Sequence, residues 1–149
     1  MKKSHLLFTA IIALLILSSC SKKDDNLCAT TEPPSDTITI SIIDNEGNSL
    51  LGENNTYKPS EITLNRNNQN IPLRFYEYDG KTFMELYYYE MESEKDYALK
   101  LNDQETDILN LKLNTYNTEC FKGLRSVVKF NLNGEEIQRD VNYAFIIQK

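Results

Sequence analysis

From Thr37 onward, apolar and polar residues alternate with a period of two, the spacing at which a strand turns one face to a core and the other to water. Ile38, Ile40 and Ile42 alternate with Thr39 and Ser41, and Ile62 and Leu64 flank Thr63. A third strand is expected from Ile71 to Tyr78 through Leu73 and Phe75, with Pro72 near its start, where a missing donor is tolerated. A long strand from Lys81 to Met91 follows, then Tyr97–Leu101, Leu109–Leu113 and Val128–Leu132. Ile137 lies on a return strand, and Val141, Tyr143, Phe145 and Ile147 close the pattern. Turn residues separate these runs: Asp44–Asn48, Arg66–Asn70, a loop at Asn114–Leu124, and the pairs Asp79-Gly80 and Asn133-Gly134. Both pairs predict type I′ hairpins, because the two central residues of that turn need positive φ. The expectation is an all-β domain over residues 37–149, an antiparallel β-sandwich of immunoglobulin-like character with about eight strands.

The chain begins differently. Lys2 and Lys3 precede an apolar run from Leu6 to Leu17, interrupted only by Thr9. Twelve helical residues rise about 18 Å, short of the roughly 30 Å hydrocarbon core, so a cleaved signal peptide over residues 1–19 is expected rather than a membrane span. The run ends in Leu17-Ser18-Ser19-Cys20, which resembles the lipobox of bacterial lipoproteins. That resemblance implies a diacylglyceryl thioether on the Cys20 sulfur, cleavage before it, and acylation of the new amine. The expected partner of this end is a lipid bilayer, held through the acyl chains on Cys20. Residues 20–36, with Pro33-Pro34 and a run of charges, cannot bury a core and read as the lipidated N-terminus and a flexible tether.

An address follows the anchor. Asp directly after the lipidated cysteine retains enteric lipoproteins in the inner membrane, and here that position is Ser21. Lys23-Asp24-Asp25 resembles the surface-export signal of Bacteroidetes-type lipoproteins, and reads equally as solvated tether. The expected location is therefore the outer membrane, lipid-anchored and surface-exposed.

Charge narrows the partners. The net charge is −6, and loss of Lys2 and Lys3 with the signal peptide takes it to −8. Phosphate backbones repel such a chain, so nucleic acid is not an expected partner. Three cysteines are present. With Cys20 consumed by lipid, Cys28 and Cys120 remain as an even pair in an oxidising compartment, or as two free thiols.

The first strand and turn, Ile38 to Leu51 with Asp44-Asn45-Glu46-Gly47-Asn48-Ser49-Leu50-Leu51, lead through a Tyr-containing loop to Glu61-Ile62-Thr63-Leu64. With Thr106-Asp107-Ile108-Leu109 and Asn133-Gly134, this order resembles small uncharacterised lipoproteins of Bacteroidetes. The resemblance implies an immunoglobulin-like sandwich on an outer-membrane lipid anchor, with no assigned activity. The opening is also similar to the carboxypeptidase-regulatory-like domains that precede outer-membrane transporters, but Leu51-Gly52-Glu53 stands where their Gly-Ala step is expected. Asp36-Thr37-Ile38 resembles the O-glycosylation acceptor motif of the same bacteria, which makes Thr37 a candidate for modification.

The chemistry of the mature chain is limited by one absence. The only histidine, His5, leaves with the signal peptide. Imidazole-based nucleophilic schemes and histidine metal sites are thereby excluded. No catalytic residue, metal site or cofactor is expected. Carboxylates at Glu90, Glu92, Glu94 and Asp96 keep a carboxylate-based hydrolase open by count alone, although a solvated turn accounts for them. Asp44, Glu46 and Asn48 lack the ligand order of an EF-hand and read as a turn.

Tyrosine is the remaining departure, with nine Tyr and no Trp. If Leu86 and Tyr88 point inward, Phe83, Tyr87 and Tyr89 share the outer face, and Tyr76 and Tyr78 share a face opposite Phe75. Such a face suits a glycan or protein ligand, since Tyr joins apolar area to a hydroxyl; aromatic cross-strand pairs also simply stabilise sheets. The expected function is a non-enzymatic binding or structural module at the outer membrane. An accessory subunit of an outer-membrane import complex and a carboxylate-based hydrolase are the alternatives.

Overall fold

The computed structural model describes residues 28–141 and 143–149. The chain divides into two compact units, Met1–Glu32 and Pro33–Lys149. Of the first, only residues 28–32 are described, with a turn at 28–30. The expected signal peptide, Cys20 and Lys23-Asp24-Asp25 lie outside the described residues. Among the described residues, no helix is long and apolar enough to cross a membrane.

Residues 33–149 form the all-β sandwich that the alternation predicts. Ten strands make two sheets: β1 (Thr37–Ile43), β2 (Thr63–Arg66), β3 (Gln69–Ile71), β4 (Leu73–Tyr78), β5 (Lys81–Tyr87), β6 (Asp96–Lys100), β7 (Thr106–Tyr116), β8 (Leu124–Leu132), β9 (Glu135–Glu136) and β10 (Phe145–Gln148). One sheet has the order β10-β1-β5-β4, the other β3-β2-β6-β7-β8-β9. Ile40, Ile42, Met84 and Leu86 of the first sheet, and Leu64, Leu99, Leu109, Leu111 and Phe130 of the second, are fully buried. Each such side chain contributes about 1.5–3 kcal/mol relative to exposure. Phe130 of β8 stacks on Phe145 of β10 with centroids 4.7 Å apart, joining the two layers.

The structure differs from the expected strands in several places. One is the expected Asn114–Leu124 loop: β7 runs on to Tyr116 and β8 already begins at Leu124, because Asn114, Thr115 and Tyr116 pair with Ser126, Arg125 and Leu124. Ile71–Tyr78 is two strands in different sheets: Ile71 pairs with Leu64, whereas Leu73 pairs with Leu86. Pro72 stands at the crossing, where its fixed φ and missing N–H allow the chain to leave one ladder for the other. That split helps raise the count from about eight to ten, and the return strand expected at Ile137 is the two-residue β9, which ends at Glu136. The strand from Lys81 ends at Tyr87 rather than Met91, because Met91 N–H turns back to the Tyr88 carbonyl at 3.0 Å. β10 begins at Phe145, and Val141 and Tyr143 belong to a turn before it. Finally, β10 pairs with β1 in parallel, so the sandwich is not wholly antiparallel.

The hairpin turns follow their residue types. Asp79-Gly80 and Asn133-Gly134 have φ of 50° and 70°, and 52° and 86°, as type I′ turns require. Asn67 and Asn68, at 51° and 64°, make the same turn between β2 and β3.

Candidate functional site

The outer face of the four-stranded sheet is set by cross-strand register. Arg74 lies opposite Glu85, Tyr76 opposite Phe83, and Tyr78 opposite Lys81 across the β4–β5 hairpin. Thr39 of the neighbouring β1 lies opposite Glu85. Because Met84 and Leu86 are taken by the core, all these partners face away from it. The Tyr76 and Phe83 rings stack with centroids 5.6 Å apart and planes 22° apart. Tyr76 Oη lies 3.3 Å from Thr39 Oγ1, which ties the ring to the central strand.

The chain segment before β10 builds a second wall. Arg139 bridges Phe145, Asp140 N–H donates to the Ala144 carbonyl at 2.8 Å, and Tyr143 N–H donates to the Asp140 carbonyl at 3.1 Å. Asp140 Oδ1 also accepts from Ala144 N–H at 2.8 Å. These bonds close a tight loop whose last residue, Tyr143, has a φ of 65°. Glycine ordinarily fills this left-handed position, and a bulky residue there is strained. Val141 and Tyr143 are 93% and 78% exposed.

Between this loop and the β4–β5 tip lies a concavity of about 690 Å³. Thr39 and Ser41 line it from β1, Tyr76, Tyr78, Asp79, Lys81 and Phe83 from the hairpin, and Asp140, Val141 and Tyr143 from the loop. Aromatic surface and hydroxyl, carboxylate and ammonium groups thus meet in one hollow. No known protein family, no curated protein and no solved structure matches this chain.

The aromatic residues expected on one face do not act together. Leu86 and Tyr88 do point inward, and both are buried. Phe83 lines the concavity, but Tyr87 and Tyr89 do not. Tyr87, 37% exposed, lies opposite Thr37 and donates to Glu85 Oε2 at 3.3 Å. Tyr89, 65% exposed, sits in the turn after β5. The ring that joins Phe83 is Tyr76 from the neighbouring strand. Tyr143 and Asp140 were hidden by the apparent alternation of Val141, Tyr143 and Phe145; the usable signal was Asp140 with Asn142, two turn-forming residues inside that run.

The other candidates are dispersed. Cys28 and Cys120 are each disulfide-bonded. Thr37 Oγ1 lies 2.6 Å from Ser35 Oγ at the start of β1. Glu92 pairs with Arg66, Glu94 with Lys112 at 3.5 Å, and Asp96 accepts from Asn110 Nδ2 at 3.0 Å, so these acids face separate partners. Asp44 spends its oxygens on N–H groups: Oδ1 accepts from Glu46 and Asn48 backbones, Oδ2 from Asn48 Nδ2. The Asn48 bonds, foremost its side chain, hold the Asp44 carboxyl below the usual range. Among the described residues, no three His, Cys, Asp or Glu side chains converge as metal ligands.

A separate polar cluster lies where the sheets meet. Lys149 Nζ donates to Glu105 Oε1 and Asp107 Oδ2, both at 2.6 Å. Tyr57 Oη donates to Glu105 Oε2 at 2.6 Å, and Asn133 Nδ2 to Asp107 Oδ1 at 2.7 Å. Lys149 and then Tyr57 hold the Glu105 carboxyl below its ordinary value. Burial, then the Glu105 hydrogen bond, pushes the Tyr57 phenol well above its own. Burial pulls Lys149 down, but the two carboxylates outweigh it and the ammonium is strengthened.

Proposed function

We propose that this chain is a lipid-anchored outer-membrane lipoprotein whose sandwich presents a non-enzymatic binding face. The anchor reading rests on Leu17-Ser18-Ser19-Cys20 behind a short apolar run. The binding reading rests on one observation above the rest: a walled hollow in which the Tyr76–Phe83 pair lies among hydroxyl and charged groups. Its volume of about 690 Å³ falls within the roughly 300–1,000 Å³ of ordinary ligand sites. Loss of His5 with the signal peptide leaves the mature chain without an imidazole, which favours binding over acid–base chemistry.

Two measurements test the two halves. Fatty-acid labelling and fractionation of the Cys20→Ser variant test the anchor: loss of label and release from membranes are expected, and retained label overturns it. Chemical modification of surface tyrosines, with and without an envelope extract of the native host, tests the face. Protection of Tyr78 and Tyr143 but not of Tyr89 is expected. Equal modification of all three overturns the binding reading.

A further inference from the structure

We infer that the hollow between the β4–β5 tip and the Asp140–Tyr143 turn takes a short, uncharged saccharide, a conclusion that rests on the binding reading above.

The first argument is the pairing of surfaces. A pyranose ring carries C–H groups on its faces and hydroxyls around its edge. Its faces suit the electron-rich faces of aromatic rings, and its edge suits groups that both donate and accept. The hollow offers both kinds of partner. Tyr76 and Phe83 present stacked aromatic surface, and Tyr78 and Tyr143 stand at the two rims, 72% and 78% exposed. Thr39 supplies a hydroxyl, Asp79 an acceptor and Lys81 a donor.

Charge and shape argue against other occupants. Two acidic residues, Asp79 and Asp140, and one lysine, Lys81, line the hollow in a chain of net negative charge, which disfavours an acidic sugar. An acyl chain would bury these polar groups without partners, which is costly. A folded protein partner needs roughly 800 Å² of each surface, which a single hollow does not provide.

The rim adds an independent observation. Tyr143 holds a left-handed φ of 65° that glycine would adopt without strain, and the residue is largely exposed. The fold gains little burial from that residue. Strain kept at an exposed aromatic beside a hollow is explained by contact with a ligand.

Saturation-transfer NMR on the lipidated protein in amine-oxide micelles, which carry no sugar headgroup, tests the assignment. The probes are maltotriose, cellotriose, mannotriose, tri-N-acetylchitotriose, trigalacturonate and a mixture of uncharged tetrapeptides. Transfer to the ring C–H protons of at least one neutral trisaccharide is expected, weakened at least fivefold by Tyr78→Ala and by Tyr143→Gly. Tyr143→Gly is expected to raise the unfolding temperature while it weakens binding, a combination that a purely structural tyrosine would not produce. No transfer to any neutral saccharide, preference for trigalacturonate, or transfer unchanged in both variants overturns the inference. Peptide binding that is lost in the same variants overturns the saccharide but leaves the binding face standing; silence from every probe removes both.

Discussion

Lys149 Nζ bonds Asp107 Oδ2 at 2.6 Å, so the residue after β10 of one sheet is clasped by the start of β7 in the other. Their side chains retain only 18% and 5% of their accessible surface. With Glu105 and Tyr57 in the same cluster, this contact makes stability depend on pH at both ends of the scale. Glu105 is held below its unfolded value, so its contribution is complete above about pH 4–5 and is lost as pH falls through the folded value. Lys149 and Tyr57 are held above theirs, so their contributions are complete below about pH 10 and are lost as pH rises further. Urea midpoints measured from pH 3 to 11 are expected to show a plateau near neutrality that falls on both sides.

Removing one member of the clasp strands the others. Asp107→Ala leaves a mostly buried ammonium with one carboxylate and removes the acceptor of Asn133 Nδ2. A loss of about 2–4 kcal/mol is expected, at the lower end of the buried-pair range because Lys149 and Glu105 keep some water contact. The double variant Asp107→Ala with Lys149→Met is expected to lose less than the sum of the single losses, as contacting residues do. Additive losses in denaturant unfolding would show that the two side chains are not coupled.

Gly52 is buried with a φ of 151°. A Cβ there would stand 3.2 Å from Asn55 Nδ2 and 3.3 Å from Thr82 Oγ1. Asn55 Nδ2 is already bonded to the Ser49 and Leu51 carbonyls at 3.0 Å. Gly52→Ala therefore combines a strained backbone with a displaced amide, and a loss of about 1–2 kcal/mol is expected. Gly47→Ala has no such neighbour within 4 Å, only the strain of its φ of 84°, and should cost less in the same thermal scan.

Cys28 and Cys120 are each disulfide-bonded. The pairing expected from the cysteine count joins them to each other. It predicts one disulfide-linked peptide containing both after digestion without reductant, and none after reduction. Closing a loop of about 90 residues is worth roughly 4–5 kcal/mol in the chain-entropy model, so reductant should lower the unfolding midpoint substantially. An unchanged midpoint would show that the bond adds nothing to stability.

Local chemistry made much of the fold legible. Ile38, Ile40 and Ile42 are buried as their alternation requires, and Asp79-Gly80 and Asn133-Gly134 form the turns their side chains permit. Misread positions share a cause: a pattern that continued past the end of its ladder. Tyr88 keeps the inward phase of β5 but lies beyond it, its N–H donating to the Asp36 carbonyl at 3.0 Å. Val141 and Tyr143 keep the phase of β10 but form a turn. Of the three binding-face candidates, Phe83 lines the hollow and Tyr87 and Tyr89 do not, and the stacking of Tyr76 on Phe83 depended on β4–β5 register.

By itself the order of residues determined the all-β class, the inward face of most strands and the type I′ turns, because these depend on neighbours two to four positions apart. The crossing of Pro72 between sheets, the parallel β1–β10 pair, and the hollow between Tyr78 and Tyr143 were decided only in three dimensions. Those features join segments about 65 to 105 residues apart or, at Pro72, depend on which ladder has room for the next strand, and no short-range pattern encodes either.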